Sequence, residues 1–157
     1  MTPTQRYRRI LVPVDGSGWA QRAIPHAIDI ARSNGSELVL LHVFRPPAYE
    51  YADQITLMGQ EEQVDQMRDQ MKQYLTALAN ELHDEGVPVQ TQMIEGAGVA
   101  NLICEYIGSQ GIDLVVMSTH GRTGLAKFLL GSIANQVMHC TDVPVLLVRP
   151  DKEQATD

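Results

Sequence analysis

The chain has 157 residues, 44% of them hydrophobic and 20% charged, which suits one globular domain with one core and argues against global disorder. Twelve Lys and Arg stand against nineteen Asp and Glu, a net charge of −7, so binding of nucleic acid through a basic surface is not expected. No apolar run approaches the roughly 20 residues that span a bilayer, and Pro13 and Asp15 end the stretch after Arg6 to Arg9 too early for a secretory signal; a cytoplasmic protein with no membrane partner is expected.

In chain order, Ile10-Leu11-Val12-Pro13-Val14 is a short β-type run, closed by the turn residues Asp15-Gly16-Ser17-Gly18. Trp19, Ala20, Ala23, Ile24, Ala27, Ile28 and Ala31 then recur at helical intervals, predicting a helix with one buried face and Ser17 as N-cap. Pro25 falls inside that pattern and either kinks the helix or moves its start downstream. Leu38 to Val43 is a continuous apolar strand of the kind covered on both faces in parallel sheets. From Phe44 to about Gly59 there is no clear period, and a surface excursion is expected.

Val64, Met67, Met71, Leu75, Leu78 and Leu82 then form the stripe of a long helix, read as core packing, with Gly86 and Pro88 as its stop. Val87 to Ile94 alternates and is less apolar, as suits a sheet edge. Gly96-Ala97-Gly98 turns into a helix bearing Val99, Leu102, Ile103, Tyr106 and Ile107, and Asp113 to Met117 is a strong fourth strand. A glycine-rich loop runs from Ser118 to Gly131, a helix with Ile133 and Val137 follows, and Val143 to Val148 is the fifth strand. The domain is assigned to 1–150 and a polar tail to 151–157. Alternation of strands and helices, with strands this apolar, implies an α/β fold: an open parallel five-stranded sheet with helices on both faces. Cys104 and Cys140 are too few for a disulfide framework and lack metal-ligand spacing, so both are expected to be reduced core residues.

Ligands of open α/β sheets bind beyond the C-terminal ends of the strands, where strand order reverses. Strand one ends in Pro13-Val14-Asp15-Gly16 and strand four in Ser118-Thr119-His120-Gly121-Arg122-Thr123-Gly124. Gly121 and Gly124 admit positive φ and close backbone approach to an anion. Gly131-Ser132 opens a helix whose first N–H groups favour an anion, and Ser132 can cap that helix, bind a phosphate oxygen, or both. Arg122 and Lys127 offer local positive charge. The same loop could also be a plain solvent-exposed connection that needs turns. No Walker A spacing and no G-x-G-x-x-G after strand one is present.

Met117 to Ser132, together with Ile10 to Ser17, Leu40 to Val43, Asp113 to Met117 and Val143 to Val148, resembles the universal stress proteins over nearly the whole chain, from about Arg9 to Arg149. The nucleotide-binding branch of that family carries G-x2-G-x9-G-[ST]; Gly121, Gly131 and Ser132 match it, and Ser118 replaces the first glycine. The resemblance implies strand order 3-2-1-4-5 and ATP as ligand, with Mg²⁺ held through the phosphates. It implies Pro13, Val14, Asp15 and Val43 at adenine and ribose, and Gly96 approaching from strand three. Met117, Ser118, Thr119, His120, Gly121, Arg122, Thr123 and Gly124 would follow the ribose and phosphates, with Gly131, Ser132, Ile133 and Ala134 meeting the phosphates. It also implies a homodimer through the last strand, 143–148.

No catalytic residue and no metal ligand is assigned. His120 lacks the partners of a general acid or base, Asp15 suits a turn as well as a ligand, and His42 reads as a satisfied core histidine. His139-Cys140 has no companions at metal spacing. The expected function is a nucleotide-dependent stress-response module. The alternatives are an interaction dimer of the same family without nucleotide, or a slow ATPase.

Overall fold

The computed structural model describes residues 6–47, 60–120 and 130–149. Five parallel strands form one sheet, β1 (Arg9–Pro13), β2 (Glu37–Phe44), β3 (Val89–Glu95), β4 (Leu114–Ser118) and β5 (Val145–Val148). Their order is β3-β2-β1-β4-β5, as the resemblance implies. The helices are α1 (Gly18–Gln21), α2 (Ala23–Asn34), α3 (Glu61–Asp84), α4 (Val99–Ser109) and α5 (Ser132–Cys140). Strand order reverses between β1 and β4, which both pair in parallel register with their neighbours, and that is where a crevice opens.

Successive side chains of a strand point to opposite faces, and the three central strands are apolar on both. Ile10, Val12, Leu38, Leu40, Leu114 and Val116 pack against α2 and α3. Leu11, Val39, Leu41, Val115 and Met117 pack on the other face against α4 and α5. Leu40 is wholly buried, so Leu40→Ala is expected to cost about 2–5 kcal/mol, read as a lower urea midpoint with an unchanged slope.

Pro25 moves the helix start rather than kinking it. In one continuous helix its N–H would be needed by Gln21, and proline has none. The chain therefore breaks at Arg22: α1 lasts a single turn, capped by Ser17, whose Oγ accepts the Ala20 N–H at 3.2 Å. Pro25 sits in the first turn of α2, where a missing donor does no harm.

Two expectations are corrected. The stripe of α3 is core only in its second half: Leu75, Leu78, Ala79 and Leu82 are buried, whereas Met67 is 46% exposed. The reason is length. At 1.5 Å per residue the 24 residues of α3 run about 36 Å, while the eight of β2 cover about 26 Å. The first half of the helix therefore overhangs the C-terminal ends of the strands. Secondly, Cys104 and Cys140 are not reduced; they form a disulfide between α4 and α5, with Cα atoms 6.2 Å apart. Helices on one sheet face lie side by side, so residues 36 apart in sequence meet.

Candidate functional site

Beyond the ends of β1, β2 and β4 lies a cleft of about 740 Å³, within the range of small-molecule sites. Its floor is built by β1 and β2. Asp15 closes β1 as a turn aspartate: its Oδ1 accepts the Ser17 N–H at 2.9 Å and the Ser17 hydroxyl. Gly16 follows at φ +84°, a conformation glycine adopts without strain. His42 is buried, and its Nδ1–H donates to the Val14 carbonyl at 2.8 Å. It is a core histidine that pins Val14 at the cleft, which it also lines. Val14, Val43 and Met117 give this part of the cleft an apolar surface.

The opposite wall comes from the end of β4 and the start of α5. Ser118 is 8% exposed, and its Oγ accepts the His120 N–H at 3.3 Å. The serine at the first position of the loop pattern thus accepts a hydrogen bond from its own turn, which leaves its O–H as a donor. Thr119 Oγ1 and His120 Nδ1 share a hydrogen bond of 2.8 Å, and the His120 ring lies 6.3 Å from that of Trp19.

Gly131 is then held against Thr119: its N–H donates to the Thr119 carbonyl at 2.8 Å. A Cβ on Gly131 would stand 2.6 Å from that same oxygen, closer than a Cβ carbon comes to a backbone oxygen, so only glycine fits. Gly131 is the N-cap of α5, and among the described residues no side chain caps the helix; of the roles open to Ser132, capping is the one the fold does not use. Ser132, Ile133 and Ala134 form the first turn and line the cleft. The first N–H groups of a helix have no carbonyl partner within it, so this uncapped end directs N–H dipoles and the positive end of the helix at the cleft.

Of the expected site residues, Pro13, Val14, Asp15, Val43, Met117, Ser118, Thr119 and His120 line the cleft together, as do Gly131, Ser132, Ile133 and Ala134. Gly96 does not. Its N–H donates to the Phe44 carbonyl at 3.1 Å, and a Cβ there would meet Leu102 Cδ1 at 2.6 Å. Gly121, Arg122, Thr123, Gly124 and Lys127 lie outside the described residues, as does most of the expected excursion from Phe44 to Gly59.

The residues not anticipated come chiefly from α3, whose Met67, Gln70, Met71 and Tyr74 form the outer wall. Met71 Cε lies 3.5 Å from where a Cβ on Gly16 would be. Tyr74 accepts a hydrogen bond from Gln21 Nε2 at 2.6 Å. Burial raises its pKa above the ordinary value of 10.0, with Asp15 contributing in the same direction. The available signal was the length of the α3 stripe against the length of the strands. Among the described residues no cluster of three or more His, Cys, Asp or Glu could hold a metal ion. No helix among them is long and apolar enough to cross a membrane.

A model of the universal stress protein family matches residues 6–149. The universal stress protein MJ0531 of Methanocaldococcus jannaschii is 32% identical over 149 residues, covering 94% of this chain and 85% of that one. The solved structure of MJ0577, from the same organism, superposes with a TM-score of 0.82 at 26% identity and covers 94% of this chain and 99% of that one. A family member from Arabidopsis thaliana, solved with AMP bound, shares the fold with a TM-score of 0.63 at 20% identity, over 94% of each chain.

Proposed function

The chain belongs to the universal stress protein family, and from that premise we propose that it binds an adenine nucleotide, ATP by its loop pattern, across the cleft between β1 and β4. One observation carries the reading. Gly131 is packed so tightly on the Thr119 carbonyl that the uncapped start of α5 is aimed into a cleft whose floor is apolar. That pairing of an apolar floor with an anion-favouring end suits a base joined to phosphates.

The protein's net charge of −7 gives no general attraction for a polyphosphate, so the grip must be local. In the proposed pose Pro13, Val14 and Val43 pack on the adenine, and Asp15 faces the ribose. Ser118, Thr119 and His120, continued by Gly121, Arg122, Thr123 and Gly124, follow the ribose and phosphates. Ser132, Ile133 and Ala134 receive the phosphates through their N–H groups. Mg²⁺ would ride on the phosphates, since no described acidic cluster is built to hold it. The AMP-bound Arabidopsis structure supports the idea that this fold accepts an adenylate.

Calorimetric titration with ATP tests the reading. A micromolar Kd, roughly −8 kcal/mol, is expected; no heat and no saturable binding overturns it and leaves an interaction protein of the same family.

We further propose a homodimer through β5. The strand is at the sheet edge, where free backbone groups invite pairing, and its Leu146 is 38% exposed. Sedimentation of the wild type and of Leu146→Lys is expected to show a dimer that the charge dissociates; a monomeric wild type overturns the dimer and leaves the nucleotide reading standing. Binding with occupancy-dependent behaviour, rather than rapid turnover, is the proposed role. Asp15 is engaged by Ser17 and His120 by Thr119, so hydrolysis faster than about one per second is not expected.

A further inference from the structure

We propose that the Cys104–Cys140 bridge is a thiol-reducible clasp that holds α5 against α4 and thereby tunes how well the start of α5 grips the nucleotide; the second half of this statement rests on the nucleotide reading above. α5 is held chiefly by its packing on α4, and that packing is slight in buried side chains. The helix has nine residues, buries Ala134 and Val137 alone, and has no side-chain cap among the described residues. Helices shorter than about 12–15 residues are marginal on their own. At its N-terminal end the Gly131–Thr119 hydrogen bond ties it to β4. At its C-terminal end Cys140, the last helical residue, ties it to α4.

The other anchor is firm. Cys104 lies within α4, which buries Ala100, Ile103 and Ile107, and Ile103, its immediate neighbour, lines the same cleft as Ala134 of α5. The bridge therefore joins two helices that both wall the cleft, at the end of α5 opposite the anion-favouring turn.

The bond is open to reagents, because Cys140 is exposed and Cys104 is half-buried. A small-molecule thiol, as its thiolate, attacks Cys140 Sγ, forming a mixed disulfide and expelling the Cys104 thiolate, which takes up a proton. A second thiol then displaces Cys140 from the mixed disulfide. Two electrons pass to the bridge, which becomes two thiols, and the two reagent thiols leave joined as their own disulfide. With the bridge cut, α5 keeps its N-terminal tether and two buried side chains, and its helical turns open more often.

The test compares the oxidised protein, the same protein fully reduced with a dithiol, and the double variant Cys104→Ser with Cys140→Ser. Amide exchange across 132–140 is expected to be about tenfold faster or more in the reduced protein and in the double variant, with β1 and β2 unchanged. The ATP Kd is expected to rise about tenfold in both. By linkage, saturating ATP then makes the pair harder to reduce by about 30 mV in a glutathione titration.

Two free thiols that persist against oxidised glutathione overturn the proposal. So do equal exchange rates and equal affinities in the two redox forms. If ATP binds neither form, the nucleotide reading falls, and the exchange rates alone then decide whether the bridge is a clasp.

Discussion

Gly131→Ala is expected to abolish measurable ATP binding and to lower stability by about 1–3 kcal/mol, the usual cost of forcing an extra group into a packed site. The two losses have one cause. The new Cβ would lie 2.6 Å from the Thr119 oxygen, and a backbone carbonyl cannot swing aside as the end of a side chain can. The start of α5 must retreat, breaking the 2.8 Å hydrogen bond from Gly131 to Thr119 and turning the first-turn N–H groups away from the cleft. Because the damage is confined to the β4–α5 junction, β1 and β2 keep their slow amide exchange while 132–137 lose it. Gly108→Ala serves as the control: nothing lies within 4 Å of a Cβ there, and within α4 the alanine should stabilise the helix slightly. If Gly131→Ala binds ATP as the wild type does, the packing of α5 on Thr119 is irrelevant to the ligand, and the site has been assigned to the wrong wall.

That glycine also shows what can be read from a sequence and what cannot. Its place in the spacing Gly121, Gly131, Ser132 marks it as part of a phosphate-binding pattern, but the pattern is silent on why. The reason is the Thr119 carbonyl, on a different element, which only the folded chain brings close. The strands were the most legible feature, because burial on both faces leaves β1, β2 and β4 with apolar runs, interrupted only by His42 in β2, that suit no surface segment. The helices were less so. Periodicity reports that α3 has an apolar face, not what the face meets, and half of it meets the cleft through Met67 and Met71. Ser132 has the composition of a cap, yet the chain enters α5 one residue earlier, so its hydroxyl is left for other work. The cysteines were least legible: composition alone does not say that two helices on one face set Cys104 against Cys140. Long-range contact, rather than local propensity, separates what was seen from what was missed.

Ser132→Asp is expected to weaken ATP binding more than a hundredfold while leaving α5 as stable as before, or more so. A carboxylate in the first turn of a helix complements its positive end and is worth roughly 0.3–1 kcal/mol, so loss of fold is not the explanation to anticipate. For a polyphosphate the same charge is repulsive. Two unit charges about 4–5 Å apart, near a protein surface with an effective dielectric of about 20, oppose each other by roughly 3–4 kcal/mol. The size of the loss should therefore follow the charge of the ligand. ATP and ADP should suffer most, AMP less if its phosphate stops short of α5, and adenosine hardly at all, since Pro13, Val14 and Val43 would still hold the base. Competition titrations with the four ligands measure that ladder, and thermal unfolding of the unliganded variant checks that the helix is intact. A uniform loss across all four would mean that the side chain blocks entry to the cleft. No loss at all would mean that the phosphates lie elsewhere and that the dipole end of α5 faces only water.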